Sequence, residues 1–402
     1  MRGHRAERRS GRTADASWLR LDPLRIAILS SARWSSFPGS MHYTARALRE
    51  FGHDVFWVDP PVSPGSVLRQ PERRADLCGS RHETAPDGLA VWRPLAVPGQ
   101  NGTLGQALNG HWVGHGVSRG LGRPGLSICF TPEARSVMRK LPGVRIYSCI
   151  DSLRDLPGVD PRLVERREQE LIDAVDLVAA CSLPLVDQLA LAGKPVTYIP
   201  HGYDEGLAAE ALGRSELPAS LVGRPRPFIG YVGSINFRLD AELLRAALSG
   251  SGGGTLVLVG GHAAGAGPAA DPAVRALLDR PDVVAVGHQE QAGMAAYLAC
   301  LDLGLVPYRP GPFNRKSFPL KVPQYLSAGL PVVSTANGAT DELIDQVSVA
   351  ERPGAFEAAT RAALATDDPA RRVSRRQAAR RRTWKVVAEE LLRLAAETSP
   401  GS

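Results

Sequence analysis

Apolar positions along the chain gather into short unbroken runs separated by stretches of helical period. Residues 24–30 form the first such run. It passes through Trp34, Pro38 and Gly39 into a helical pattern that ends at Glu50, followed by Gly52 and a second run over 55–58. That order reads as strand, loop, helix, turn, strand. Residues 60–125 are rich in Gly, Pro and Arg and break the pattern. It resumes with apolar runs at 126–130, 144–150, 177–181 and 196–199, separated by helical segments such as 161–174 and 183–192. A second series starts at Pro227, with runs at 228–232, 255–259, 283–286, 303–307 and 331–334. Strands that are Val/Ile/Leu-rich throughout, rather than alternating, are buried on both faces. Two successive series of this kind predict an α/β protein with two doubly wound parallel sheets, Rossmann-like, facing each other across a cleft. The expected division is a basic flexible leader (1–22), a first Rossmann-like domain (23–204), a linker (205–226), a second Rossmann-like domain (227–369) and a helical segment (370–396) that packs back across both.

Composition narrows the function classes. With 402 residues, 44% of them apolar, the chain can bury a large core, and its length suits two domains or more. The net charge of +7 is concentrated in 2–20 and in the run Arg371, Arg372, Arg375, Arg376, Arg380, Arg381, Arg382, Lys385. Such runs are solvated faces or attach to anionic surfaces, so peripheral contact with an anionic membrane is an expectation. No nucleic-acid module accompanies the charge, and a nucleic-acid partner is not expected. The start of the chain lacks the apolar core of a signal peptide, and no run of eighteen apolar residues occurs, which places the expectation in the cytoplasm. Five cysteines without a C-x-x-C pair read as buried free thiols.

Candidate chemistry lies in strand-to-helix loops, where ligands of open parallel sheets bind. In 306–335 a strand ends in a Pro/Gly loop, and a helix opens near Pro319 and closes at Gly329. A helix N-terminus beside Arg309, Arg315, Lys316 and Lys321 could stabilise a diphosphate leaving group without a metal, although the segment also reads as a basic surface loop. Gln324, one helical step beyond Lys321, could hydrogen-bond a ribose hydroxyl. In 230–240, Gly233 and Ser234 would let backbone amides approach a phosphate or sugar, with Arg238 as a further cation. Gly287 and His288, at a strand end, could edge a nucleobase.

These segments resemble the donor-binding domain of the group 1 glycosyltransferases. The pattern P-L-K-x-x-[EQ]-Y-L-[SA]-[AS]-G-x-P-V-V-[SA]-T runs from Pro319 to Thr335, and the likeness extends in order over 146–151, 176–182, 199–204 and 229–240. It is greatest toward bacterial teichuronic-acid-type transferases. The resemblance implies a GT-B fold, a nucleoside-diphosphate sugar as donor with no further cofactor, a hydroxyl acceptor held by the first domain, and retention of anomeric configuration. On this view Asp151 would orient the acceptor or support positive charge on the sugar. His42, at the end of the loop 31–42, would help shape the acceptor site. One departure stands out: the family's two glutamates, separated by seven intervening residues, are replaced by Lys316 and Gln324. This departure keeps a non-catalytic partner of another glycosyltransferase as an alternative, and the shared fold keeps a nucleotide-sugar epimerase as another.

Three short matches compete. Residues 116–120 fit G-x-S-x-G, His111 and His115 have the spacing of paired metal ligands, and 265–270 fit a dinucleotide fingerprint. The first lacks a preceding strand, the second a third ligand, and the third is interrupted by Pro268.

Overall fold

The computed structural model describes residues 23–62, 82–97, 102–261 and 271–398. The leader 1–22, Cys78 and the match at 265–270 lie outside the described residues.

Two sheets account for the strands. The first contains β1 (Arg25–Leu29), β2 (Asp54–Val58), β3 (His82–Thr84), β4 (Ala90–Trp92), β5 (Leu126–Cys129), β6 (Val144–Cys149), β7 (Leu177–Ala180) and β8 (Val196–Tyr198), in the spatial order β3-β4-β2-β1-β5-β6-β7-β8. All neighbours pair parallel except β3 with β4. The second contains β9 (Phe228–Val232), β10 (Thr255–Val259), β11 (Val283–Ala285), β12 (Leu303–Val306), β13 (Val332–Ser334) and β14 (Val347–Val349), all parallel, in the order β11-β10-β9-β12-β13-β14. Core strands such as β5 and β10 are buried at every position, as two covered faces require. The order of each sheet reverses at one point, between β1 and β5 in the first and between β9 and β12 in the second. Loops diverge there and leave a crevice at the carboxyl ends.

Residues 205–226, expected as a linker, open with a helix. Asp204 caps a helix, Glu205–Leu212, whose Leu207, Ala208 and Ala211 are buried against the second domain, and Leu221 is buried as well. The apolar spacing of those residues outweighs the Gly, Pro and Ser nearby. The crossing is confined to 199–204, and the chain returns alongside itself, with the Tyr203 amide donating to the Arg382 carbonyl at 2.9 Å. The terminal segment is two helices. Pro369–Arg380 packs on helix Lys321–Ala328 of the second domain, and Trp384–Ala396 packs on helix Ser40–Glu50 of the first, with Trp384 stacked on Tyr43. Much of the terminal basic run serves this packing. Arg375 is buried on Asp367 and the Gly329 carbonyl, Arg382 pairs with Glu342, and Lys385 with Glu50.

Candidate active site

A cleft of about 490 Å³ opens between the two sheets at their carboxyl ends. That volume suits a nucleotide-sized ligand. Of the residues expected to carry chemistry, Arg238, Lys321, Gly233, Ser234, Gln324, Asp151 and His42 line it.

The second domain brings two cations to its reversal point. Strand β9 leads into the loop that carries Gly233 and Arg238, β12 ends just before Tyr308, and, after the short helix Pro312–Lys316, Lys321 opens helix Lys321–Ala328. Arg238 lies over the Tyr308 ring with Cζ 4.2 Å from its centroid, and its Nε and Nη2 donate to Asn314 Oδ1 (2.8 Å) and Ser317 Oγ (2.6 Å). Lys321 Nζ donates to the Tyr308 hydroxyl at 3.0 Å and sits 4.6 Å from the Tyr231 centroid. Neither cation has a carboxylate partner among the described residues, so their charge is directed at the cleft. Burial alone would push the Tyr308 phenol up, but Arg238 and Lys321 together draw it down to about 8. Helix Lys321–Ala328 has no capping side chain at its N-terminus. Its free end adds positive potential on the same side.

Gly233 makes room for this arrangement. Its φ is +143°, and a Cβ there would lie 2.6 Å from Lys321 Nζ and 2.8 Å from Cε. Only glycine combines that backbone with that clearance.

Across the cleft, Asp151 follows β6. Its carboxyl has no hydrogen-bond partner among the described residues, and burial pushes it up to about 6, with Arg238 pulling the other way. Asp204, the other acid lining the cleft, spends its side chain capping Leu207.

Five expectations change on inspection of their contacts. His42 is fully packed against Trp34 and Trp57, accepts from the Gly39 amide through Nδ1 (3.1 Å) and donates to the Arg33 carbonyl through Nε2 (3.0 Å). Burial lowers its pKa. With both nitrogens committed it fixes the loop and has no lone pair for catalysis. Arg309 turns away from the cleft to Asp271 and the Leu239 carbonyl. Lys316 crosses to the first domain, where Nζ donates to Asp155 Oδ2 (2.6 Å) and Gln188 Oε1 (2.8 Å). Gln324 reaches the crossing segment, accepting from the Asp204 amide at 3.0 Å. Gly287 and His288 lie outside the cleft lining, and the His288 ring meets Phe37 edge-on at 5.9 Å, closing the cleft's rim. The two positions that differ from the family pattern therefore hold the domains together. Lys316→Ala is expected to lower unfolding free energy by roughly 1–3 kcal/mol, the usual cost of orphaning a half-buried charge partner, as read by urea denaturation.

Tyr308, Asn314 and Ser317 were not singled out from the sequence, although Pro-Tyr-Arg directly after a strand signals an aromatic at the loop base. Ser118 of the G-x-S-x-G match lies within helix Thr103–Leu121 and not at a strand-to-helix turn. The described cysteines, Cys129, Cys149, Cys181 and Cys300, are all free and buried.

The family model for glycosyl transferases of group 1 matches residues 226–366, which hold the second sheet and both cleft cations. Residues 226–366 are thus similar to a group 1 glycosyltransferase domain. A Bacillus subtilis protein named for teichuronic acid biosynthesis as a glycosyltransferase is 25% identical over 243 residues, 58% of this chain and 59% of its own length. The chain thus spans about three fifths of that curated relative. Among solved structures, sucrose-phosphate synthase from Thermosynechococcus elongatus superposes with a TM-score of 0.69 at 17% identity, covering 93% of this chain and 98% of that one. HepE of Anabaena, solved with UDP and glucose, gives 0.64 at 16% identity, covering 93% and 99%. The shared architecture is GT-B, and the matched residues 226–366 form the half that carries Arg238 and Lys321.

Proposed function

We propose that the chain transfers a sugar from a nucleoside-diphosphate sugar to a hydroxyl acceptor in the interdomain cleft. The convergence of Arg238 and Lys321 on Tyr308, both without carboxylate partners, carries this reading. A leaving diphosphate gains negative charge as the glycosidic bond breaks, and fixed cations at a sheet's reversal point stabilise that charge without reorganisation. The nucleotide then lies over the second domain and the sugar points toward Asp151. Its carboxylate, ionised at neutral pH, stabilises positive charge on the sugar or aligns the acceptor hydroxyl. Retention of configuration is proposed on the family likeness, and metal-independent transfer because two side-chain cations already face the diphosphate position.

Gly233→Ala tests the geometry. The new methyl displaces Lys321 Nζ, so affinity for the matching nucleoside diphosphate is expected to fall about tenfold, with a stability loss on the order of 1 kcal/mol from backbone strain. Calorimetric titration and thermal melting read the two effects.

A second reading, a non-catalytic partner of another glycosyltransferase, draws on Lys316 and Gln324, which serve domain contacts where the family carries glutamates. Incubation with a panel of nucleotide sugars and hydroxyl acceptors separates the readings. Nucleoside diphosphate released in step with glycoside, and unaffected by EDTA, supports transfer. Donor bound weakly or not at all favours the partner-protein reading, and isomerised sugar without acceptor favours an epimerase.

A further inference from the structure

Helix Thr103–Leu121 buries Val113, Val117 and Leu121 against the first sheet. Its outer face should therefore be polar, yet Leu104, Leu108 and Trp112, spaced by four, stand 74%, 47% and 45% exposed. Four-residue spacing puts them on one stripe. Singly exposed apolar residues need no explanation, but an aligned stripe ending in tryptophan does. Beside it lies a groove of about 720 Å³ lined by Gln106 and Ala107 of the same helix together with Arg135, Arg139, Lys140, Arg166, Arg167 and Glu170. Arg135 and Arg167 pair with Glu170 and Glu133. Arg139, Lys140 and Arg166 are exposed and have no carboxylate partner among the described residues.

The helix also has a defined direction. Its C-terminal cap, Gly122, stands against Arg25 at the start of β1, whereas Asn109 accepts from the Val97 amide beyond the end of β4. It therefore runs antiparallel to the strands, and Leu104 lies toward the carboxyl edge of the sheet, the side on which the cleft opens. No helix among the described residues is long and apolar enough to cross a membrane.

We propose that this stripe and groove form a docking surface for an anionic lipid bilayer. Leu104, Leu108 and Trp112 enter the headgroup–acyl boundary, and Arg139, Lys140 and Arg166 contact lipid phosphates, with the cleft mouth held near the surface. The match of an apolar stripe to unpaired cations fits a lipid interface better than a soluble polyanion, which would need the cations alone.

Co-sedimentation of the full chain with phosphatidylglycerol-containing and with pure phosphatidylcholine vesicles tests this. Binding is expected only to the anionic vesicles and should weaken with salt. The triple change Leu104→Ser, Leu108→Ser and Trp112→Ser should weaken it at least about tenfold. Replacing Arg139, Lys140 and Arg166 by Gln should weaken it about a hundredfold. All six side chains are exposed, so unchanged thermal melting confirms that each variant is folded. Absence of vesicle binding, binding undiminished in both variants because the terminal arginines carry it, or binding of dextran sulfate in the groove without binding of vesicles would each overturn the proposal.

Discussion

Asp151→Asn is expected to lower kcat by about 10²–10³-fold while donor affinity changes no more than about threefold. The carboxylate reaches the cleft from the domain opposite the two cations, where a sugar joined to the bound diphosphate would project. Its charge matters only when positive charge develops, so the loss falls on kcat and not on binding. The raised pKa fixes the pH dependence: as pH falls through about 6 the carboxylate takes up a proton, and kcat should fall with it. The stability sign is the reverse of the usual salt-bridged acid. A folded-state pKa above the unfolded value means that ionised Asp151 penalises the fold at neutral pH, and the penalty disappears as pH drops below about 6 toward the unfolded value. The neutral amide should therefore raise stability at pH 7 by on the order of 2 kcal/mol, seen as a higher Tm. A residue placed only for packing would not combine a gain in Tm with a loss in kcat. Equal kcat in Asp151→Asn would remove it from the chemistry.

Arg238→Ala and Lys321→Ala should each weaken binding of the matching nucleoside diphosphate by about 10–100-fold, the range for losing one charge-assisted contact. A spectroscopic consequence accompanies Lys321→Ala. Tyr308 is held at about 8 by the two cations against the effect of burial, so the early phenolate absorbance of the wild type should shift to higher pH when one cation is removed. If either variant binds nucleoside diphosphate as the wild type does, that side chain is not part of the donor site.

The sheets were legible because β1, β5, β9, β10 and β12 are unbroken apolar runs bounded by turn residues, a pattern that only two-sided burial explains. Residues 205–226 were not, since local Gly, Pro and Ser outweighed the spacing of Leu207, Ala208 and Ala211, whose partners lie in the second domain. The cations show the same limit. The sequence offers Arg309, Lys316 and Lys321 from one basic loop and Arg238 from the 230–240 loop, with Arg238 and Lys321 preferred. Three-dimensional partners supply the physical reason: Asp271 takes Arg309 and Asp155 takes Lys316, leaving the other two for the cleft. His42 was drawn toward function by its residue type, whereas packing between Trp34 and Trp57 and two backbone hydrogen bonds make it a fixture of the loop. Tyr308 stands in the P-[FY]-x part of the family pattern but received no role, because its importance comes from Arg238 and Lys321, which only folding brings to it.

The central claim, that the interdomain cleft is a nucleotide-sugar site built on Arg238 and Lys321, is tested most directly by calorimetric titration of the wild-type protein with UDP, GDP, dTDP and ADP. Saturable binding of one of the four at a single site is the predicted result, and it names the donor's base. A folded sample that binds none of them contradicts the account.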